Sequence, residues 1–279
     1  MNAIHNGLRR GWIEYTAAIR TLTESANYVI VAGFFMVVLY LNRNRTVDGT
    51  SLHFPALALP GLLGMLAVYT GIVGAAYALA SEREDGTLLR AKAVPNGMTG
   101  YVTGHILRGA LEILTMLVVM LVPALILIDG LFATGLAGGL HLLWLFPLGL
   151  LATLPFGMVI GSLATSPRAI AGWGLMVVGA LTFISGVFSP VTGQAAWVQG
   201  IAQVFPIYWL GLGMRSALLP DEVVLVEIGQ SWRTLETIGV LGIWAVAGLL
   251  LAPVVLRRMA RRESGAVLDE RRRKVLQRL

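Results

Sequence analysis

The chain has no cysteine, only two lysines (Lys92 and Lys274) and only four histidines in 279 residues. Without cysteine it has no disulfide, no thiolate metal site and no thiol nucleophile. Neither lysine lies in a Gly-x-x-x-x-Gly-Lys-Ser/Thr run, so the chain cannot hydrolyse ATP through a phosphate-binding loop of its own. His5, His53, His105 and His141 are isolated and lack the spacing of zinc ligands. Ser162, Ser166 and Ser185 have no histidine partner in their own segments, which argues against a buried protease triad. Charge is scarce too: 13 % of residues are charged and 56 % apolar, which is not the balance of a soluble domain.

What the chain does have is apolar length. Six runs, roughly 26–41, 56–80, 106–128, 140–165, 170–188 and 237–256, stand out. A helix rises about 1.5 Å per residue, so about 20 apolar residues cross a hydrocarbon core about 30 Å thick. Five runs reach that length; in the shorter first one, Tyr28 and Tyr40 are placed to anchor its ends at the headgroups. With the N-terminus inside, 17 basic residues fall on the cytoplasmic side and 4 (Arg43, Arg45, Arg215 and Arg233) outside. The positive-inside rule therefore puts both termini in the cytoplasm. The reading is an all-α integral membrane protein of six spans. It has three parts: an interfacial helix in 1–25, the spans in 26–256 and a basic cytoplasmic tail in 257–279.

The net charge of +6 belongs to that tail, which holds nine basic and three acidic groups, whereas residues 1–256 hold twelve of each. No aromatic residue interleaves with these arginines. An anionic leaflet accounts for them, and nucleic acid is not implied. Ahead of the first span, Leu8, Trp12, Tyr15, Ile19 and Leu22 recur at spacings of four and three, with Arg9, Arg10, Glu14, Arg20 and Glu24 around them. This predicts a helix over 7–24 lying in the membrane surface, or alternatively packed on a partner protein.

Between spans two and three lies the most charged internal segment, with acidic Glu82, Glu84 and Asp85 leading and basic Arg90 and Lys92 following. That order suits the dipole of a short helix, and Pro95, Asn96 and Gly97 end it. Between spans five and six, the apolar stretch 195–219 is interrupted by Pro206 and preceded by Pro190. It reads as two short helices dipping into the outer leaflet, since a seventh crossing would put the basic tail outside. Glu112 is the one carboxylate clearly inside a span, one turn from Arg108 on the same face, and pairing between them is expected. Mid-membrane carboxylates are too few for an ion-coupled carrier. Gly-x-x-x-Gly begins at Gly7, Gly100, Gly135 and Gly157, about as often as this glycine content yields by chance, and Gly157–Gly161 is the pair placed for close contact within a span.

The segment Glu82, Glu84, Gly86-Thr87-Leu88, Arg90 and Pro95, followed by Tyr101, Gly104 and Leu107, resembles the cytoplasmic loop of ABC-2 type exporter membrane subunits. Ser185-Gly186-Val187-Phe188-Ser189-Pro190, Phe205-Pro206-Ile207-Tyr208-Trp209 and Met214-Arg215 also resemble that family, so the similarity covers nearly the whole chain. Within it, the nearest likeness is to the daunorubicin-resistance permeases of multidrug efflux and antibiotic resistance. The resemblance implies a permease in a bacterial plasma membrane, with two copies forming the pathway and two separate ATPases carrying ATP and Mg. It also implies a coupling helix at Glu82, Arg83, Glu84, Asp85, Gly86, Thr87, Leu88, Arg90, Lys92 and Pro95. Tyr69, Tyr77 and Phe183 are candidate pathway residues, though ordinary packing explains them as well. Amphipathic drug-like or lipid-like molecules are the expected cargo. Glycan export and a non-transporting membrane regulator remain as alternatives.

Overall fold

A computed structural model describes residues 3–46, 53–128, 131, 134–164 and 166–262. Among these, six helices are long and apolar enough to cross a membrane, and no sheet forms. The chain opens with α1 (Ala3–Arg20), and one extended residue, Thr21 (φ −79, ψ 128), parts it from the first span, α2 (Leu22–Leu41). The break falls earlier than the hydropathy predicted. Glu24 therefore stands in the first turn of a span, where its charge complements the helix dipole.

The second span is built from α3 (Phe54–Val68), a π-helical turn (Tyr69–Gly74) and α4 (Ala75–Glu84). Pro55 starts it, because the first turn of a helix needs no proline N–H. Next come α5 (Thr87–Lys92), α6 (Gly97–Leu127), α7 (Gly135–Leu163) and α8 (Pro167–Ile184). After α8, two short helices, α9 (Ala196–Ala202) and α10 (Pro206–Leu218), precede the last span, α11 (Thr234–Arg262). All fifteen residues of α3 are buried, with α2, α6, α7 and α10 packed on it. The 31 residues of α6 make a rod about 46 Å long, well beyond a hydrocarbon core. The tail beyond 262, Asp129 in the loop after α6 and most of the loop after α2 lie outside the described residues.

Glycine contacts set the spacing of these helices. Gly7 and Gly11 of α1 lie against the backbone of Gly100 and Gly104 of α6, so two of the Gly-x-x-x-Gly runs face each other along parallel helices. A Cβ at either α1 position would enter the facing carbonyl. The motif, expected to carry little information, is meaningful at these two copies. Chance explains how often the motif occurs, not which copies pair. Gly161 likewise packs on Ala76, where a Cβ would come 2.5 Å from the carbonyl. With its glycines turned to α6, α1 leaves Leu8, Trp12 and Ile13 exposed on its other side.

The segment between α8 and α11 forms a cap at the end of the bundle remote from α5. Pro206 occupies the first turn of α10, and all of α10 except Ser216 is buried against α3, α7 and α11. Indole and guanidinium donors staple the cap together. Trp209 Nε1 donates to the Gln203 carbonyl (2.6 Å), Trp244 Nε1 to the Val204 carbonyl (2.8 Å), and Arg233 Nη1 to Gln203 Oε1 (2.6 Å). At its centre Arg215 (1 % exposed) pairs with Glu227 (5 %), Nε donating to Oε1 at 2.6 Å, while Nη1 reaches the Gly186 carbonyl at 3.4 Å.

Candidate functional site

The charged segment after α4 is not one helix. Glu82, Arg83 and Glu84 form the last turn of α4, and Gly86 (φ 82) reverses the chain before α5 starts at Thr87. A left-handed φ comes without strain only to glycine, which is why the helix breaks there. The dipole argument therefore applies differently from the expectation. Glu82 and Glu84 sit at a C-terminus; Gly86 is the N-cap of α5, and Asp85 just before it accepts the Thr87 N–H through Oδ1 at 2.8 Å.

Several of these residues are turned inward. Arg83 Nη1 donates to the carbonyls of Gly161 (2.9 Å), Ser162 (3.0 Å) and Ala164 (3.2 Å), capping the end of α7. Leu88 is buried with Leu79, Tyr101, Met158, Leu256 and Met259, so α5 is anchored to α4, α6, α7 and α11 together. Glu82 lies 3.7 Å from Arg10 of α1, whose guanidinium also pairs with Glu14 at 2.6 Å and sits 4.9 Å over the Tyr101 ring. Asp85, Arg90, Val94 and Pro95 are exposed, with Arg90 Nη2 donating to Thr87 Oγ1 at 2.8 Å; Glu84 and Thr87 are half-buried, and Lys92 closes α5. The segment thus has a face held by the bundle and a face open to a partner.

Directly above it, a cavity of about 550 Å³ opens between α2, the second span, α6 and α8. Its walls include Tyr28 from α2, Tyr69 and Thr70 from the π turn, Tyr77 from α4, and the Arg108–Glu112 pair of α6 (2.7 Å). Tyr69 and Tyr77 are thus brought together here. Phe183 is not: it is 70 % exposed near the cap end of α8, beside Phe188. The sequence reading missed Glu24 and Tyr28 as wall residues. It also missed the π turn, a local widening of the helix that is frequent at functional sites. Gly71 within that turn presses on Thr153 of α7, a contact no sequence pattern announces.

Glu82 and Asp85 belong both to the loop and to the cavity wall, so the exposed segment and the cavity form one connected site. No curated protein matches the chain. Residues 23–253, which include all six spans but for the outermost turns, match the family described as ABC-2 family transporter protein. With a match over most of its length, the chain belongs to the ABC-2 transporter family, the membrane permeases of ABC transporters.

Proposed function

We propose that the chain is the permease subunit of a bacterial drug exporter of the daunorubicin-resistance kind. Two copies form the pathway in the plasma membrane, and two partner ATPases bind ATP and Mg at the face carrying α5. Both termini lie on that cytoplasmic side, α1 stands along the cytoplasmic half of α6, and the cap dips into the outer leaflet. The observation that carries the reading is the sharing of Glu82 and Asp85 between the loop and the cavity wall. Closure of the ATPases pushes the exposed lip at Asp85, Arg90 and Pro95, and the same displacement reshapes the cavity. ATP shifts the inward–outward equilibrium only by its differential stabilisation of the two arrangements. A cavity of about 550 Å³ lies in the range of drug-sized ligands, which favours a discrete amphipathic cargo over a polymeric glycan.

The double variant Glu84→Ala/Arg90→Ala tests the loop. Arg90 is exposed and Glu84 half-buried, so the subunit still inserts and folds, while ATP-driven efflux falls about tenfold or more, as when two anchors of an interface are lost. Undiminished efflux in membranes with equal amounts of subunit would remove the coupling role. Recovery of the folded chain without any ATPase, in mild detergent, would point to the regulator instead.

A further inference from the structure

We propose that a groove between α6 and α11 holds a phospholipid with an anionic headgroup, one acyl chain lying in the groove and the phosphate at Arg257. α11 packs along α7, whereas α6 and α11 have no extended contact, so a cleft of about 310 Å³ is left between them over α7. Val102 and Ile106 of α6, Met158 of α7, and Leu249, Ala252 and Leu256 of α11 make an apolar wall. The polar side chains lining it are Thr99, Thr103 and Arg257, and the Thr103 hydroxyl already donates to the Thr99 carbonyl at 2.9 Å. From Leu249 to Arg257 the groove follows α11 for about 12 Å, a depth suited to a lipid tail rather than to a surface ligand. α6 lines both this groove and the cavity above the loop, but no residue belongs to both.

The charge at the rim decides the headgroup. Arg257 stands at the α5 end of the groove, exposed and, among the described residues, without a carboxylate partner. No acidic residue lines the groove, and Arg258 and Arg261, both exposed, add positive charge beyond it. A guanidinium binds a phosphate through paired N–H donors, and basic clefts between spans on the cytoplasmic side take anionic headgroups for this reason. A cation would face the guanidinium, and a soluble anion would leave the apolar wall uncovered. Met158, Ala252 and Leu256 belong both to the groove and to the cluster that buries Leu88 of α5. A lipid chain seated there therefore rests on the side chains that anchor α5 and firms the base of the loop. That consequence for coupling rests on the exporter reading; the binding does not.

In the test, the purified full-length chain in detergent is titrated with palmitoyl-oleoyl phosphatidylglycerol or phosphatidylcholine, and bound lipid is counted by native mass spectrometry. The first phosphatidylglycerol is expected to bind about fivefold more tightly than phosphatidylcholine, the worth of one basic residue beside a headgroup. Arg257→Gln removes most of that preference, whereas Arg258→Gln, a neighbour of equal charge outside the groove, keeps it. Ile106→Trp fills the groove from an exposed position and weakens both lipids severalfold. Glycerol phosphate, which carries the charge without chains, does not compete. Equal affinity for the two lipids overturns the proposal, as do equal losses in the two arginine variants or competition by glycerol phosphate. Unchanged lipid binding in an Ile106→Trp variant that unfolds at the parent's temperature does the same. A dimer in the parent spectrum that disappears with Ile106→Trp would give the groove to a second copy and overturn the lipid. Lipid binding in a chain that recruits no ATPase would overturn the exporter reading and leave the site standing. An ATPase-coupled chain indifferent to the headgroup would do the reverse.

Discussion

Arg215→Ala and Glu227→Ala are each expected to destabilise the subunit by about 3–5 kcal/mol, seen as a large drop in the unfolding temperature of the detergent-solubilised protein. The two groups are 1 % and 5 % exposed and meet at 2.6 Å, so removing either strands the other as a buried, unpaired charge. Arg215 also holds the Gly186 carbonyl, where the backbone leaves α8 through a left-handed turn (φ 75), so its loss frees the first joint of the cap. Replacing both partners together, as Arg215→Met/Glu227→Leu, is expected to recover most of the loss, because no charge is then left without a counterion. If Arg215→Ala melts with the parent protein, the pair does not hold the cap. If the double variant is as unstable as the singles, geometry and not charge is what matters there.

Gly11→Leu is expected to detach α1 from α6. The Gly104 carbonyl stands where a side chain would begin, with the Gly104 Cα only 3.1 Å from that point, and neither atom can give way without bending α6. Overpacking at such a rigid contact costs about 1–3 kcal/mol, set against the other contacts of the α1 face. Detachment also withdraws Arg10 from Glu82 and Tyr15 from Thr115, so the cavity wall loses a charge partner. Because the chain has no cysteine, a pair introduced at Tyr15 and Thr115 reports the contact cleanly through a short bismaleimide. Cross-linking should be efficient in the parent and fall severalfold with Gly11→Leu; undiminished cross-linking would show that the helices tolerate the side chain.

The spans were legible because a bilayer demands a number: about twenty apolar residues leave a signature no soluble helix imitates. The cap was legible because Pro206 cannot sit in the middle of a helix without disturbing it, and it opens α10 as its position suggested. What hydropathy could not distinguish is which apolar span is wrapped in protein. The wholly buried α3 and the largely exposed α2 are equally apolar, since lipid and protein interior make the same demand. The Gly7–Gly100 match was hidden because a small-residue motif has meaning only beside its partner. The cavity was hidden because it depends on a π turn and on four helices converging. Within the charged loop, the residue types were readable but not the direction each faces. Arg83 turns inward to cap α7, whereas Arg90, seven residues on, is exposed.

The pairing of Gly7 with Gly100 also sets a timetable for biogenesis. The two halves of that contact are separated by about 90 residues, so α1 leaves the ribosome long before the surface it needs exists. At about 5–20 residues per second, the interval is roughly 5–20 s. During that time the glycine stripe of α1 has no partner. Only when α6 has been inserted can α1 dock, closing the longest loop in the N-terminal half of the chain. Slowing synthesis between the second and third spans would lengthen the wait, and quality control would meet the subunit with its first helix still undocked.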